Sequence, residues 1–293
     1  MTLYRIRFEL CSALVTPLKG DTIWGHIVWG IANHEGDAAV ADFLEQEKSE
    51  KPVLVVSSAF PAGMLCKPLL PPMDRDSSLT INKYSEIKKD KKIKYLTASE
   101  YFHETETSPN EKEDPFKSVQ VMHNTIDRST NTVLTGNGGL FPTEEKWSKI
   151  KDWDIYVLSS FAPDRIKKLL GWAFESGYGA DASTGKGKII IKGDPRPVKT
   201  KKHGNSSYMA LGPFVGSKNG VSNLRADIFI RSGKIGGAFA SSLSPYKKPV
   251  VLYDEGAMFD CDKTLEYTGK LLDKMHGEDD RICQSGFAPV IPV

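Results

Sequence analysis

The order strand, helix, strand occurs twice in this chain, with a long insertion between the two copies. In the first copy, Tyr4, Ile6, Phe8 and Leu10 of "LYRIRFEL" alternate with Arg5, Arg7 and Glu9. A period of two places one face on a core and the other on charge. The following "DTIWGHIVWGIANHEG" sets Trp24, Ile27, Val28 and Ile31 on one stripe of a helix. Asp21 reads as its N-cap and Gly36 as its stop. "PVLVVSSAF", rich in β-branched residues, reads as a buried strand. The second copy starts at "DIYVLSSF", Asp154 to Phe161. Pro163 opens a helix where a missing N–H costs little, and Ile166, Leu169, Leu170 and Ala173 form its apolar stripe. A glycine-rich loop and the strand "KIIIKG" complete it. This order predicts an α+β fold, a ferredoxin-like sheet split at its middle connection.

The insertion, about residues 61–152, differs in character. "NKYSEIKKDKKIKYLTASEYF" is lysine-rich with interleaved tyrosines, and "HETETSPNEKEDP" is polar and acidic. "SVQVMHNTIDRSTNTVLTGNGGLF" holds two strand-like runs around a polar turn and predicts a projecting hairpin. From Asp194, "DPRPVKTKKHGN" reads as a linker. The remainder carries strand patterns at "YMALGPFV", "LRADIFIRSG" and "PVVLYDEGAMF", and a weak helical pattern at "KTLEYTGKLLDKM". The expected division is a first domain over 1–193 and a smaller α+β domain over 194–293.

A length of 293 residues, 40% hydrophobic and 26% charged, suffices for a core without staples. The net charge of +2 excludes a global pull toward polyanions, so a nucleic-acid surface must come from local clusters. Cys11, Cys66, Cys261 and Cys283 lack the close spacing of a metal knuckle or redox pair and read as reduced thiols. No apolar run suits a leader or a bilayer span, so the expectation is a cytoplasmic protein without cofactor or metal.

"GYGADASTGKGKIII", Gly177 to Ile191, invites comparison with a phosphate loop. Five residues separate Gly179 from Gly185 where a Walker A loop has four, and Gly187 stands where Ser or Thr belongs. The loop also follows a helix and precedes a strand, so no helix N-terminus points into it. An NTPase is thereby disfavoured. Glycine amides forming a small nest, with Ser183, Thr184, Lys186 and Lys188 beside them, would still suit a ribose-phosphate chain. The plain alternative is a helix C-cap followed by a turn into the last strand.

Six stretches together carry a resemblance: "TPLKGDTIWGHI", "SSAFPAGMLCKPLLPP", "HNTIDRSTNTV", "GYGADASTGKGK", "IGGAFASSLSPYKKPVVLYDEGAMF" and "GFAPVIPV". With this set the chain resembles the RAMP superfamily of CRISPR proteins, and within it the Cas-five-type group that supplies the fourth subunit of type III-A Csm effector complexes. The resemblance implies two ferredoxin-like halves and a thumb-like hairpin. It implies a non-catalytic subunit that caps the guide-RNA backbone at its repeat-derived 5′ tag. The expected partners are the guide RNA, target RNA near the thumb, the large polymerase/cyclase-like subunit and the backbone RAMP subunit. By the same resemblance, RNA would meet Gly177, Gly179, Ser183, Thr184, Gly185, Lys186 and Gly187 of the loop. On the hairpin it would meet Asn124, Arg128, Thr130 and Asn131. The C-terminal stretch would add Arg231, Lys234, Ser244, Lys247 and Lys248. There Gly236 and Gly237 would permit close approach, and Phe239 would stack on a tag base.

Competing readings exist for each signal. His26 and His123 would serve as acid and base if the chain were a metal-independent endoribonuclease that processes guide precursors. His26 lies in a tryptophan-bearing amphipathic helix, where a packed histidine is the simpler reading. Trp24 belongs to the core stripe, and Trp29 lies on another side of the helix. The lysines from Lys83 to Lys94, with Tyr84 and Tyr95, read as a solvated face or as an RNA or acidic-partner contact. "DRSTN" alone is a turn rich in Asx and hydroxyl residues. A protein-only scaffold is the remaining class.

Overall fold

The computed structural model describes residues 1–49, 51–71, 81–103, 113–133, 139–201, 206–216, 220–236 and 244–293. Along the chain, β1 (Thr2–Leu10), α1 (Gly20–Lys48) and β2 (Leu54–Pro61) come first. The insertion contributes β3 (Met64–Cys66), α2 (Ile81–Lys92), β4 (Tyr95–Thr97), β5 (Phe116–Asn124), β6 (Ile126–Asp127), β7 (Thr132–Val133) and β8 (Leu140–Ser148). Then β9 (Asp152–Ser159), α3 (Pro163–Phe174) and β10 (Ile189–Pro197) close the first half.

These elements form an antiparallel sheet of order β10-β1-β9-β2. Counted within the two strand–helix–strand units, that order is fourth, first, third, second, as the split βαβ pattern requires. The helices cover one face. Ile6 and Phe8 of β1, Trp153, Ile155 and Val157 of β9, Trp24, Ile27 and Ile31 of α1, and Ile166, Leu169 and Leu170 of α3 share one core. On the opposite face Phe60 and Tyr156 pack against Met209, Leu211, Met258 and Ile291 of the second half. Burial on both faces explains why every residue of β2, including Ser57 and Ser58, is buried and why its sequence does not alternate between apolar and charged residues.

The second half adds β11 (Ser207–Ala210), β12 (Ser222–Arg225), β13 (Ile228–Arg231), β14 (Val250–Tyr253), β15 (Met258–Asp260), β16 (Tyr267–Leu272) and β17 (Gln284–Pro292). Five of them make a sheet of order β12-β15-β11-β17-β16, and β13 pairs with β14. The second half contributes no helix of its own among the described residues. The ferredoxin-like order is therefore seen in the first half, and the molecule as a whole is α+β.

Several expectations are corrected. The stretch at 263–275 is not helical: Tyr267–Leu272 is an edge strand paired with β17, and Gly269, at φ +95°, lies against the Gly286 carbonyl. The linker from Asp194 is displaced, because β10 runs on to Pro197 and pairs with Tyr4 and Arg5. Gly36 does leave helical geometry, at φ 84° and ψ 176°, but α1 resumes after this kink and reaches Lys48. Asp21 is not the cap; Lys19 holds that position and makes no side-chain cap bond. Part of the lysine-rich stretch folds as α2. No helix among the described residues is long and apolar enough to cross a membrane.

Candidate nucleic-acid interface

The glycine loop connects α3 to β10. Gly177, Gly179, Gly185 and Gly187 all have positive φ, as does Asp181. Those angles are used to fold the loop back onto the β1–α1 connection and α1. The Tyr178 amide donates to the Gly187 carbonyl at 2.9 Å, and the Gly187 amide to that of Ala13 at 2.8 Å. Gly179 N–H donates to His26 Nε2 at 3.1 Å, Ala180 N–H to Thr16 Oγ1 at 2.9 Å and Lys188 N–H to Ser12 Oγ at 2.9 Å. The amides of Thr184, Gly185 and Lys186 close a short turn on Asp181 and Ala182. The expected nest of ligand-facing amides is thus corrected: most of these donors already have intramolecular partners. What the loop turns outward is the run of Ser183, Thr184 and Gly185, followed by Lys188. A cleft of about 440 Å³ beside the loop is lined by Phe174, Gly177, Gly185, Lys186, Lys188 and Ile190.

A hairpin is present in the insertion, but its second strand, β8, lies mostly beyond the 118–141 stretch in which it was expected; within that stretch the short pair β6 and β7 flanks the polar turn. β5 and β8 pair in register from Phe116↔Ser148 to Asn124↔Leu140. Its base is tied to the first half by reciprocal backbone bonds between Leu14 and Lys146, at 2.9 and 2.8 Å. Lys186 of the glycine loop pairs with the buried Glu145 of β8, so the loop meets the base of the hairpin, away from the predicted residues at its far end. Asn124, Arg128, Thr130 and Asn131 are exposed near the far end. The turn there is an Asx turn: Asp127 Oδ1 accepts from Ser129 N–H at 2.8 Å and Ser129 Oγ–H at 2.6 Å, and Asn131 takes φ 58°. Those two bonds hold the Asp127 carboxyl below its usual range. Arg128 has no ion-pair partner among the described residues.

The C-terminal stretch behaves differently. The Arg231 guanidinium forks onto Asp21, with Nε to Oδ2 at 2.8 Å and Nη2 to Oδ1 at 3.0 Å. Asp21 also accepts from Gln284 Nε2 at 3.1 Å. Lys247 Nζ donates to the Cys283 carbonyl at 2.8 Å and to Gln284 Oε1 at 3.0 Å, and burial pushes its pKa down. Lys248 Nζ reaches the Lys274 carbonyl at 2.8 Å. Gly236 lies against the indole of Trp29, where a Cβ would come within 2.7 Å of Nε1. Arg231, Lys247 and Gly236 therefore serve intramolecular contacts. Lys234 and Ser244 are exposed, while Gly237 and Phe239 lie outside the described residues.

Next to this seam Lys19 Nζ donates to Asp254 Oδ1 at 2.5 Å and Glu255 Oε1 at 2.7 Å. Burial opposes its charge, yet the two carboxylates keep its pKa above the usual value. Burial also pushes the Glu255 carboxyl up. Thr16, Lys19, Glu145 and Gln284 were not singled out from sequence; their partners, Ala180, Asp254 with Glu255, Lys186 and Asp21, stand on other segments of the chain, where no local spacing reveals them.

His26 is the packed residue its helix suggested. Burial lowers its pKa, against the opposing influence of the Ala173 backbone, and its Nε2 accepts from Gly179 N–H. His123 stacks on Phe141 with ring centroids 5.6 Å apart, and its Nε2 is buried without a partner among the described residues. No group of three metal-ligating side chains occurs among those residues.

No protein-family model matches the chain, and no curated protein matches it. Solved structures do. A chain of the Csm1-Csm4 cassette in complex with AMPPNP matches with a TM-score of 0.60 at 16% identity, over 99% of this chain and 98% of that one. A chain of the same cassette in complex with cA4 matches equally, at 0.60 and 16%. A chain of the Csm3-Csm4 subcomplex of the type III-A CRISPR-Cas interference complex matches at 0.55 and 11% identity, over 100% of this chain and 99% of that one. The fold is thus that of a chain found in these CRISPR assemblies, from end to end.

Proposed function

We propose that this chain is a Csm4-type RAMP subunit of a type III-A CRISPR effector ribonucleoprotein, binding guide RNA and catalysing no reaction itself. The observation that carries this reading is the end-to-end likeness to chains of the Csm1-Csm4 and Csm3-Csm4 assemblies. The hairpin at the middle connection of a ferredoxin-like sheet, tied to the glycine loop through Lys186 and Glu145, supports it. In this reading the subunit caps the guide RNA at its 5′ tag. It sits in the cytoplasm between a large polymerase/cyclase-like subunit and the first backbone RAMP subunit, with the hairpin near paired target RNA. The second half, residues 194–293, would be a divergent relative of the first domain.

The RNA surface assigned here is narrower than the sequence suggested. It consists of the outward side of the glycine loop, Ser183 and Thr184, and the exposed hairpin end, Asn124, Arg128, Thr130 and Asn131. Lys234 and Lys248 extend it. Single-stranded RNA would be held mainly through its phosphates, so binding should fall steeply with salt. The endoribonuclease alternative gains nothing from His26, whose Nε2 is engaged by the Gly179 amide and whose charged form burial disfavours.

The test is equilibrium binding of the full-length chain to repeat-derived RNA across a salt series. Arg128→Ala combined with Thr184→Ala should weaken binding about tenfold and reduce the slope of log affinity against log salt by about one. Unchanged binding would favour a protein-only scaffold. Cleavage of the RNA that disappears in His26→Ala would replace this reading with the ribonuclease.

A further inference from the structure

Trp147 is the most exposed of the five tryptophans, at 47%, yet it is firmly held. Its Nε1–H donates to Glu145 Oε2 at 3.2 Å. Glu145 is itself only 3% exposed, and its other oxygen accepts from the Lys186 ammonium. That ammonium lies 5.9 Å from the centre of the indole. One buried carboxylate therefore fixes both the edge of the ring and a cation beside it. Across the hairpin, Lys117 is the direct partner of Trp147, so their side chains leave the same face of the ribbon. Two residues after Lys186 comes Lys188, exposed at the mouth of the cleft. Lys117 and Lys188 have no ion-pair partner among the described residues.

Leaving a large apolar ring in water is unfavourable, and fixing its orientation adds conformational entropy to that cost. Such a ring is pre-organised for a flat ligand, and the cations around it select one flanked by negative charge. A base with its two phosphates meets both conditions, provided the base is unpaired. A protein partner fits less well. Other exposed apolar residues of this hairpin, Met122, Leu140 and Phe141, stand near its far end on both of its faces, about 20 Å away at the usual rise of a strand.

We infer that Trp147 is a stacking platform for one unpaired base of a single-stranded RNA whose phosphates lie against Lys117 and Lys188. This inference rests on the RNA-binding reading above, and it adds residues that reading does not use.

The experiment measures binding of the full-length chain to a set of repeat-derived oligoribonucleotides, each with one abasic nucleotide. In the unsubstituted protein, one abasic position should weaken binding by at least about fivefold, the lower end of base–aromatic stacking. In Trp147→Ala that position should no longer matter, while Trp147→Phe should retain most of the sensitivity. Lys117→Ala and Lys188→Ala should each lower the salt slope by about one without changing which position is sensitive. The abasic scan on unsubstituted protein and the Phe variant decide the matter even if the alanine variant folds poorly. RNA binding with the same abasic profile in Trp147→Phe and Trp147→Ala overturns the stacking site and leaves the RNA-binding reading intact. Loss of co-purifying protein in Trp147→Ala, with RNA affinity unchanged, overturns it in favour of a protein contact. An unsubstituted chain that binds no repeat RNA overturns both.

Discussion

Gly185 and Gly187 sit two residues apart in one loop and answer to different constraints. Both have positive φ, +89° and +65°. A Cβ on Gly185 would meet no atom within 4 Å, whereas one on Gly187 would lie 2.0 Å from the Tyr178 carbonyl oxygen. Gly185→Ala should therefore lower stability by about 1 kcal/mol, the cost of backbone conformation alone. Gly187→Ala should cost about 3 kcal/mol or more, because β10 must move away from the loop. Urea midpoints at unchanged m-value would measure both. Glu47 supplies a second residue-scale test. It is fully buried and accepts from Val53 and Leu54 amides and from the Trp24 indole, yet burial pushes its pKa from 4.5 up to about 7. Between those values the native chain keeps a proton that the unfolded chain has released. Stability should then decline as pH rises from about 4.5 to 7, by up to about 3 kcal/mol from this group. Glu47→Gln should flatten that slope in denaturation series run at pH 5, 6 and 7. Glu255, also raised by burial, leaves a residual slope.

At the scale of elements, the hairpin is, among the described residues, anchored at its base. Its anchors are the Leu14–Lys146 backbone pair, the Lys186–Glu145 ion pair and the stacking of Phe116 on Trp153, with centroids 5.0 Å apart. Glu145→Ala removes the ion pair and frees the Trp147 edge. Hydrogen exchange across β5 and β8 should quicken about tenfold, while β1 and β9 keep their protection. Equal loss of protection in all four strands would show that the hairpin does not open on its own. A hairpin in the insertion was legible in sequence because alternation and a polar turn are local. The two strand–helix–strand units were legible for the same reason. The strand at Tyr267–Leu272 was not: Leu265, Leu271 and Leu272 imitate a helical stripe, and only pairing with β17, supplied by the far end of the chain, makes it extended. The loop showed the opposite failure. Its glycines were visible, but the use of their conformations, closing onto His26, Thr16 and Ala13, depends on segments some 150 residues earlier.

Across the whole molecule, the two halves meet through apolar contacts and a polar seam. Phe60 and Tyr156 join Met209 and Ile291 on one side, while Asp21–Arg231 and Lys19 with Asp254 and Glu255 bridge on the other. No single sequence could disclose the Asp21–Arg231 pair, whose members are 210 residues apart. Asp21 is 1% exposed and lies in the first turn of α1, where the helix favours a negative charge. Under the RNA-binding reading the seam matters, since it holds Lys234 and Lys248 of the second half relative to the loop and hairpin of the first. Arg231→Met strands a buried carboxylate and should cost about 3–5 kcal/mol. Asp21→Asn in the same chain removes that stranded charge, so the double variant should recover at least about 2 kcal/mol of the loss. A double-mutant cycle from thermal or urea unfolding measures this coupling. Additive effects would mean that this pair does not couple the two halves. In that case the Arg231→Met protein should keep its RNA affinity, because the orientation of Lys234 and Lys248 would no longer depend on the pair.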